Sequence, residues 1–235
     1  MRRMLAAALL AAATLGRAEG LDGVFVGYRT AMMPDPYGRA RVDPRKDHFV
    51  LFPDGGVYWK LPQDGPDGLD LRREVQQRPE LVGAYQLHGD SIVVRWATGQ
   101  TAVAMREGNG FRFDRDAYVA VPKSSGLRLE GAYSRQDGTA PQRVIQFRSD
   151  GVFQDSGVLG VVGLLYMIPV GGGYARPEYE VGQPGWGRYE IRNNTLYLAY
   201  VDGRVKRVAF YVLSNSGYDS SPAMIFLNSY ALSRR

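Results

Sequence analysis

Short runs of alternating apolar and polar residues recur along the chain after residue 20. Two of them, Ser91–Trp96 and Thr195–Tyr200, are rich in β-branched and aromatic residues and are bounded by turn residues. This pattern is typical of β-strands and is too short for independent helices. Asp-Gly pairs beginning at positions 54, 150 and 202 separate such runs, where glycine supplies the positive φ of a tight turn. The pattern therefore predicts antiparallel hairpins and little helix.

The chain also contains an internal repeat. A Gly-x-Tyr motif at residues 83–85 reappears at residues 187–189, and Trp96 is matched by Tyr200 at the same spacing of 104 positions. The Asp-Gly pairs at 54 and 150 are 96 positions apart, so loop insertions shift the spacing between the copies. A duplication of this kind predicts two homologous units, each a meander of about six strands.

The two units predict an all-β fold. An antiparallel sheet of six strands has two open edges and one apolar face, and it protects them by closing into a barrel or by packing on its twin. We predict an internally duplicated antiparallel meander of two small barrel-like or sandwich units, residues 21–122 and 127–235, packed together. The alternative is one larger barrel or sandwich that takes half its strands from each copy. The Leu-x-Gly-x-aromatic start and the up-and-down strand order resemble lipocalin-type barrels in architecture, and this resemblance includes no functional motif.

Residues 1–18 have the pattern of a secretory signal peptide. Arg2 and Arg3 precede an apolar run over residues 4–15, and small residues at 16 and 18 precede a plausible cleavage site. The run has 12 residues, whereas a helix needs roughly 20 to cross a bilayer. We therefore expect a mature chain without a transmembrane helix, located in the periplasm or secreted.

Charge and composition exclude several classes of protein. The sequence has 29 basic and 24 acidic residues, and loss of the three arginines in residues 1–18 leaves 26 basic residues against 24 acidic ones. A nearly neutral mature chain without a basic stripe argues against a nucleic-acid partner. Because the chain has no cysteine, it has no disulfide, thiolate metal site or cysteine nucleophile. No pattern in the sequence calls for a cofactor.

Segments that differ between the two copies are the candidate sites, because shared positions are explained by folding and loops often carry function. The first is Thr30–Asp47, which contains Tyr37, Arg39 and Arg41 and is longer than its counterpart. Tyrosine and arginine are enriched in interfaces, so this segment is either a recognition loop or a solvated connection.

The second differing segment, Leu61–Glu80, contains regularly spaced acids, which are Asp64, Asp67, Asp70 and Glu74. Oxygen ligands suit Ca²⁺, but the spacing does not match an EF-hand loop. We expect an ordinary polar turn here rather than a metal site.

The third segment, Val158–Val170, has thirteen residues without a charge. It includes Leu164, Tyr166 and Met167, and three glycines follow it. Such a run is typical of a buried strand or a plug over the mouth of a barrel. The less favoured alternatives are an apolar lip over a ligand cavity and an edge through which copies associate. Trp186 follows this insertion and is a candidate contact residue.

Motifs of catalysis are absent from the sequence: it has no Gly-x-Ser-x-Gly elbow, no phosphate-binding loop and no dinucleotide fingerprint. His48 and His88 are more easily explained as strand-end and turn residues than as catalytic bases. The favoured hypothesis is a noncatalytic binding protein in which inserted loops form an apolar recognition site for a small apolar ligand or a protein partner. The alternatives are a self-associating envelope or adhesion protein and, less favoured, a carboxylate-dependent hydrolase. The sequence does not indicate an oligomeric state.

Overall fold

A computed structural model describes residues 21–34, 39–135, 143–159, 183–213 and 220–235. Sixteen strands, one α-helix and one short 3-10 helix lie wholly within these ranges. The strands of the first half are β1 (Gly23–Pro34), β2 (Ala40–Leu51), β3 (Gly56–Trp59), β4 (Val82–His88), β5 (Ser91–Trp96), β6 (Thr101–Glu107), β7 (Gly110–Phe113) and β8 (Asp116–Ala120). Those of the second half are β9 (Gly131–Ser134), β10 (Val144–Phe147), β11 (Val152–Asp155), β12 (Gly185–Arg192), β13 (Thr195–Tyr200), β14 (Val205–Tyr211), β15 (Met224–Leu227) and β16 (Tyr230–Arg234).

Each half forms a closed antiparallel barrel in which strands adjacent in sequence are adjacent in space. The first barrel closes where Phe25–Gly27 of β1 pair with β8, and the second closes where Ser134 of β9 pairs with Ser233 of β16. The predicted duplicated all-β fold is therefore confirmed.

The predicted count of six strands per unit is wrong, because each barrel has eight. Strands of only four residues, such as β3 and β7, contain too few positions to show alternation.

Tight turns at glycine join the paired strands. Gly55, Gly151 and Gly203, the glycines of the three Asp-Gly pairs, have φ values of 86°, 83° and 87°. Each turn closes with a backbone hydrogen bond, for example from Gly151 N–H to the carbonyl of Arg148 at 3.0 Å. The predicted hairpin turns are confirmed at all three positions.

Side chains fill the interior of both barrels. In the first barrel the ring centroid of Phe49 lies 4.9 Å from that of Tyr118 and 5.4 Å from that of Phe111. In the second, Phe153 packs edge-on against Tyr200 with centroids 4.9 Å apart. Trp96 and Tyr200, the matched repeat residues, are both buried in these cores. An eight-stranded barrel is just wide enough for its own side chains, so burial of these rings is what stabilises closure.

A repeated tyrosine ties the start of each barrel to a hairpin turn. The Tyr85 hydroxyl lies 3.0 Å from the carbonyl oxygen of Leu21 and 3.1 Å from that of Phe52. Its counterpart Tyr189 lies 2.9 Å from the carbonyl oxygen of Leu129, and it also accepts a hydrogen bond from the Leu129 N–H at 2.7 Å. The Gly-x-Tyr repeat thus marks a structural contact shared by the two barrels.

The segment Thr30–Asp47, predicted as a loop, is mostly strand. β1 and β2 stay paired out to Pro34 and Ala40, whereas the ladders to β8 and β3 cover only residues 25–27 and 49–51. Residues beyond those ladders form a two-stranded ribbon. The loop prediction is wrong because the extra length of this segment extends two paired strands, and its prolines and charges are compatible with the edges of an isolated hairpin.

The chain divides into two compact units, and one short segment belongs to the unit formed mainly by the other half of the sequence. The first unit contains residues up to Leu61 and Leu69–Val121, and the second contains Pro62–Gly68 and Pro122–Arg235. Asp67 anchors this segment within the second unit. Its carboxylate accepts hydrogen bonds from the Tyr197 hydroxyl at 2.6 Å and from Asn193 Nδ2 at 2.9 Å. Its backbone N–H donates to Thr195 Oγ1 at 2.9 Å.

A short helix follows this segment in the first unit. Helix α1 (Leu71–Gln77) begins at Asp70, whose carboxylate accepts hydrogen bonds from the N–H groups of Arg72 and Arg73. This N-cap satisfies donors that the first turn leaves unpaired. The 3-10 helix Pro79–Leu81 then leads into β4.

Candidate functional site

A row of three exposed side chains crosses the outer face of the second barrel. Gln146 on β10 lies opposite Gln154 on β11, and Gln154 lies opposite Trp186 on β12. Their neighbours Phe147, Phe153 and Gly187 alternate with them and are buried. Alternation along a strand therefore directs the two amides and the indole outward. We call these three residues the Trp186 face.

The equivalent row of the first barrel is buried. The repeat spacing matches Gln146 with Val50 and Gln154 with Tyr58 at 96 positions, and Trp186 with Val82 at 104. Val50, Tyr58 and Val82 are aligned in the same strand register and are at most 2% exposed. The indole of Trp186, by contrast, is 57% exposed.

Helix α1 contacts the row in the first barrel. The Tyr58 hydroxyl donates a buried hydrogen bond to Glu74 Oε2 at 3.1 Å, and Glu74 also pairs with Arg78 at 2.7 Å. A Cβ atom at Gly56 would lie 2.5 Å from Cδ1 of Leu71, so a larger residue there would require the Leu71 side chain of α1 to move. The matched position in the second barrel is occupied by the larger Val152.

Two glycines on the inward side of β12 flank Trp186. A Cβ atom at Gly187 would lie 1.9 Å from the carbonyl oxygen of Ala199, and one at Gly185 would lie 2.6 Å from the Tyr200 ring. Backbone therefore approaches backbone closely behind the indole, and a larger residue cannot occupy position 187 without moving β13. This close contact fixes the strand that presents Trp186.

The Trp186 face borders a shallow pocket of about 330 Å³, which is also lined by Arg148, Val152 and Phe153. Neither Gln146 nor Gln154 hydrogen-bonds through its carboxamide to another side chain or backbone group of the described residues. The Arg148 guanidinium forms an ion pair with Asp150 at 2.8 Å, so the charge of this lining residue is compensated. Because Phe153 is fully buried, the pocket offers one exposed aromatic ring, one aliphatic side chain, two neutral amides and the ion-paired Arg148.

Asp47, Trp59 and Tyr118 form a polar cluster in the first barrel, and their polar groups hydrogen-bond to one another. Asp47 Oδ2 accepts hydrogen bonds from Trp59 Nε1 at 2.8 Å and from the Tyr118 hydroxyl at 2.9 Å. Burial, with the neighbouring Asp47 charge and its hydrogen bond, strongly raises the pKa of Tyr118, so this hydroxyl remains a donor at neutral pH. Beside Asp47, burial lowers the pKa of His48 to about 4, which outweighs the opposing effect of the Asp47 carboxylate. His48 is therefore neutral near pH 7.

Buried carboxylates in the described residues also have donors of their own. Asp155 accepts hydrogen bonds from the Tyr200 hydroxyl at 3.1 Å and from the N–H groups of Gly157 and Val158. Of the acids considered as a cation site, Asp70 caps α1, Glu74 contacts Tyr58 and Asp67 contacts Tyr197. No cluster of three metal-ligating side chains occurs in the part of the chain that the structure describes.

The residues that the sequence singled out as candidate contacts lie in different parts of the structure. Trp186 is exposed on the Trp186 face, and Arg39 is exposed immediately before β2, in the first unit. Arg41 lies within β2, but its side chain is outside the described part of the structure. Tyr37, Leu164, Tyr166 and Met167 lie outside the described residues. The first two residues of the apolar segment, Val158 and Leu159, are buried in the core of the second barrel.

Sequence reasoning missed Gln146 and Gln154. A signal for them was present: aligning the copies at spacings of 96 and 104 replaces valine, tyrosine and valine by two glutamines and a tryptophan. Such an exchange of an apolar row for a polar one indicates a face that is buried in one copy and exposed in the other.

Comparisons of the chain with protein-family models, with curated proteins and with solved structures found no match. None of the helices in the described ranges has the length and hydrophobicity needed to span a membrane.

Proposed function

We propose that this chain is a noncatalytic binding protein, exported from the cytoplasm, whose recognition surface is the Trp186 face. The observation that carries the proposal is the difference between the two copies. One row of side chains is buried in the first barrel, where Tyr58 contacts α1, and the matched row is solvent-exposed in the second.

The energetics favour recognition over a folding role for this surface. A large aromatic side chain contributes most to stability when it is buried, and Trp186 is more than half exposed. Tryptophan is also the residue type most enriched among side chains that dominate binding energy. An indole beside two carboxamides that have no hydrogen-bond partner among the described residues is thus better explained by contact with a ligand than by folding.

The filled barrel interiors support an external site. Phe49, Phe111 and Tyr118 pack on one another inside the first barrel, and Phe153 and Tyr200 do so inside the second. A lipocalin-like ligand would need the volume that these rings occupy. The outer surface of the second barrel needs no such rearrangement.

Native mass spectrometry tests this proposal. The protein is purified under non-denaturing conditions from the extracytoplasmic fraction of its own host, and its native mass is compared with its denatured mass. We expect an added mass that disappears on denaturation and is missing from a Trp186→Ala variant. A Val103→Ala variant, altered at an exposed residue of the first barrel, is the matched control and should keep the added mass. An added mass that survives Trp186→Ala would contradict the proposal, as would its absence from the wild-type protein.

A further inference from the structure

We infer that the ligand of the Trp186 face is a neutral carbohydrate. This inference rests on the proposed binding function, and it follows from the chemistry of the three side chains and their spacing. A sugar ring presents C–H groups on its two faces and hydroxyl groups around its edge, so a matching site needs a flat apolar surface beside groups that both donate and accept hydrogen bonds.

Trp186 supplies the flat surface. Its ring is exposed on a barrel wall rather than enclosed, so a ring-shaped ligand can approach one face of the indole. The next position across the sheet is Val201, whose N–H donates to the Trp186 carbonyl at 3.0 Å and which is 60% exposed. The apolar surface therefore continues beyond the indole on the side opposite the glutamines.

Gln154 and Gln146 supply the polar partners. A carboxamide offers two N–H donors and a carbonyl acceptor, which is the combination needed to bind adjacent hydroxyl groups. Neither carboxamide is hydrogen-bonded to another described residue, so both groups are available to a ligand. Water satisfies them when the face is empty, and a hydroxyl-rich ligand replaces that water without leaving a polar group unpaired.

The charge of the site favours a neutral ligand. Two amides, an indole and Val152 have no charge, and the one cation of the pocket lining, Arg148, is paired with Asp150. The exposed Arg188 on β12 lies opposite Val152 but outside this lining. An anionic ligand such as a phosphate would be expected to find an uncompensated arginine or lysine within the lining itself. An apolar ligand would leave both amides desolvated without partners, at a cost in affinity.

The dimensions fit more than one sugar ring. Neighbouring strands are roughly 4.8 Å apart, so the row from Gln146 to Trp186 spans roughly 10 Å and extends further to Val201. An oligosaccharide lying across the strands would stack one ring on Trp186 and place the hydroxyl groups of the next ring at the glutamines. The pocket is open and shallow, as an extended ligand requires.

A printed array of neutral oligosaccharides, probed with the full mature protein, tests this inference. We expect binding to a defined set of glycans, and the best of them is then titrated by isothermal calorimetry. Trp186→Ala should weaken its binding by about tenfold or more, and Gln154→Ala should weaken it by several-fold. Trp186→Tyr, which keeps a flat ring, should stay close to wild type, and so should the control Val103→Ala.

The outcomes separate the ligand class from the proposed function. If no glycan binds while native mass spectrometry shows a bound mass that Trp186→Ala lacks, the carbohydrate inference is overturned and the binding function stands. If no glycan binds and no bound mass is present, both are overturned. If a glycan binds equally well to wild type and Trp186→Ala, carbohydrate binding occurs elsewhere and the assignment to this face is overturned.

Discussion

Gln154 and Trp186 lie directly opposite each other on adjacent strands of the second barrel, and their side chains face solvent. Their counterparts Tyr58 and Val82 are paired in the same register in the first barrel and are buried. The duplicated scaffold therefore contains an internal comparison, in which a single row of positions is buried in one copy and exposed to solvent in the other.

The first prediction contrasts the two rows in stability. Tyr58→Ala should lower the free energy of unfolding by about 3 to 5 kcal/mol, because it removes a buried ring and leaves Glu74 without the Tyr58 donor. Trp186→Ala should change it by about 0.5 kcal/mol or less, as expected for an exposed residue. Urea denaturation of both variants measures the difference. A large loss of stability in Trp186→Ala would show that the indole is part of the folding core.

The second prediction distinguishes the repeated tyrosines. Tyr189→Phe leaves the buried Leu129 N–H without its acceptor and should cost about 1 to 3 kcal/mol of unfolding free energy. Tyr85→Phe should cost less, about 1 kcal/mol, because that hydroxyl contacts two carbonyl oxygens rather than accepting from an N–H. Denaturation of the two single variants under identical conditions checks the order. Equal or reversed losses would contradict it.

The third prediction concerns Asp67. Burial opposes ionisation of this carboxyl, but hydrogen bonds from Tyr197 and Asn193, together with the Arg192 and Arg207 charges, outweigh it and lower the Asp67 pKa. Asp67→Ala should therefore destabilise the second unit at pH 7 by about 2 kcal/mol, because it removes hydrogen bonds to a charged group.

The pH dependence of Asp67 follows from the direction of its shift. Since the folded state holds the carboxyl ionised, its contribution is present above the unfolded pKa of about 4 and is lost as pH falls through the lower folded pKa. Urea denaturation at pH 7 and pH 3 should show the variant approaching wild type in acid. Asp64→Ala, at an exposed position of the same segment, is the control and should match wild type at both pH values.

The fourth prediction concerns His48. Histidine is a base whereas Asp67 is an acid, but the stability of the folded state again falls as the pH is lowered. Its folded pKa of about 4 lies below the 6.5 of an exposed histidine, so the unfolded state takes up a proton first as pH falls. Stability should decline from pH 6.5 to pH 4 and then level off. A shift of this size corresponds to about 3 kcal/mol.

Fluorescence can assign that decline to the first barrel. In a Trp186→Phe background the remaining tryptophans are Trp59 and Trp96, which both lie in the first unit. Urea titrations at pH 7 and pH 4.5 should show a large difference with His48 and a much smaller one in His48→Gln. If His48→Gln keeps the full pH dependence, another group is responsible.

Features shared by the two copies were predictable from the sequence. The Asp-Gly turns at Gly55 and Gly151 and the burial of Trp96 and Tyr200 follow from rules of local conformation and alternation. A duplication strengthens such predictions, because two copies of one pattern must satisfy the same fold. The duplicated all-β architecture therefore follows from the sequence pattern.

Features that depend on register or on distant contacts were not predictable. Strands of only four residues show too little alternation to be recognised, so two strands of each barrel were not predicted. The ribbon Thr30–Asp47 has the composition of a loop, although its residues form paired strands. The partners of Asp67 are more than 120 positions away, so no local pattern indicates them. For the Trp186 face, the sequence identified the tryptophan, but Gln146 and Gln154 needed the strand register to be placed beside it.

The most direct test of the binding surface is hydroxyl-radical footprinting of Trp186. The protein from its own host is labelled once as purified and once after it has been unfolded, dialysed and refolded to remove any ligand. Met105, which is 49% exposed on the first barrel, serves as the internal reference and should be oxidised equally in both samples. We expect Trp186 to be protected in the sample as purified and to become reactive after ligand removal. Equal oxidation of Trp186 in the two samples, with Met105 unchanged, would contradict the claim that this face binds a ligand.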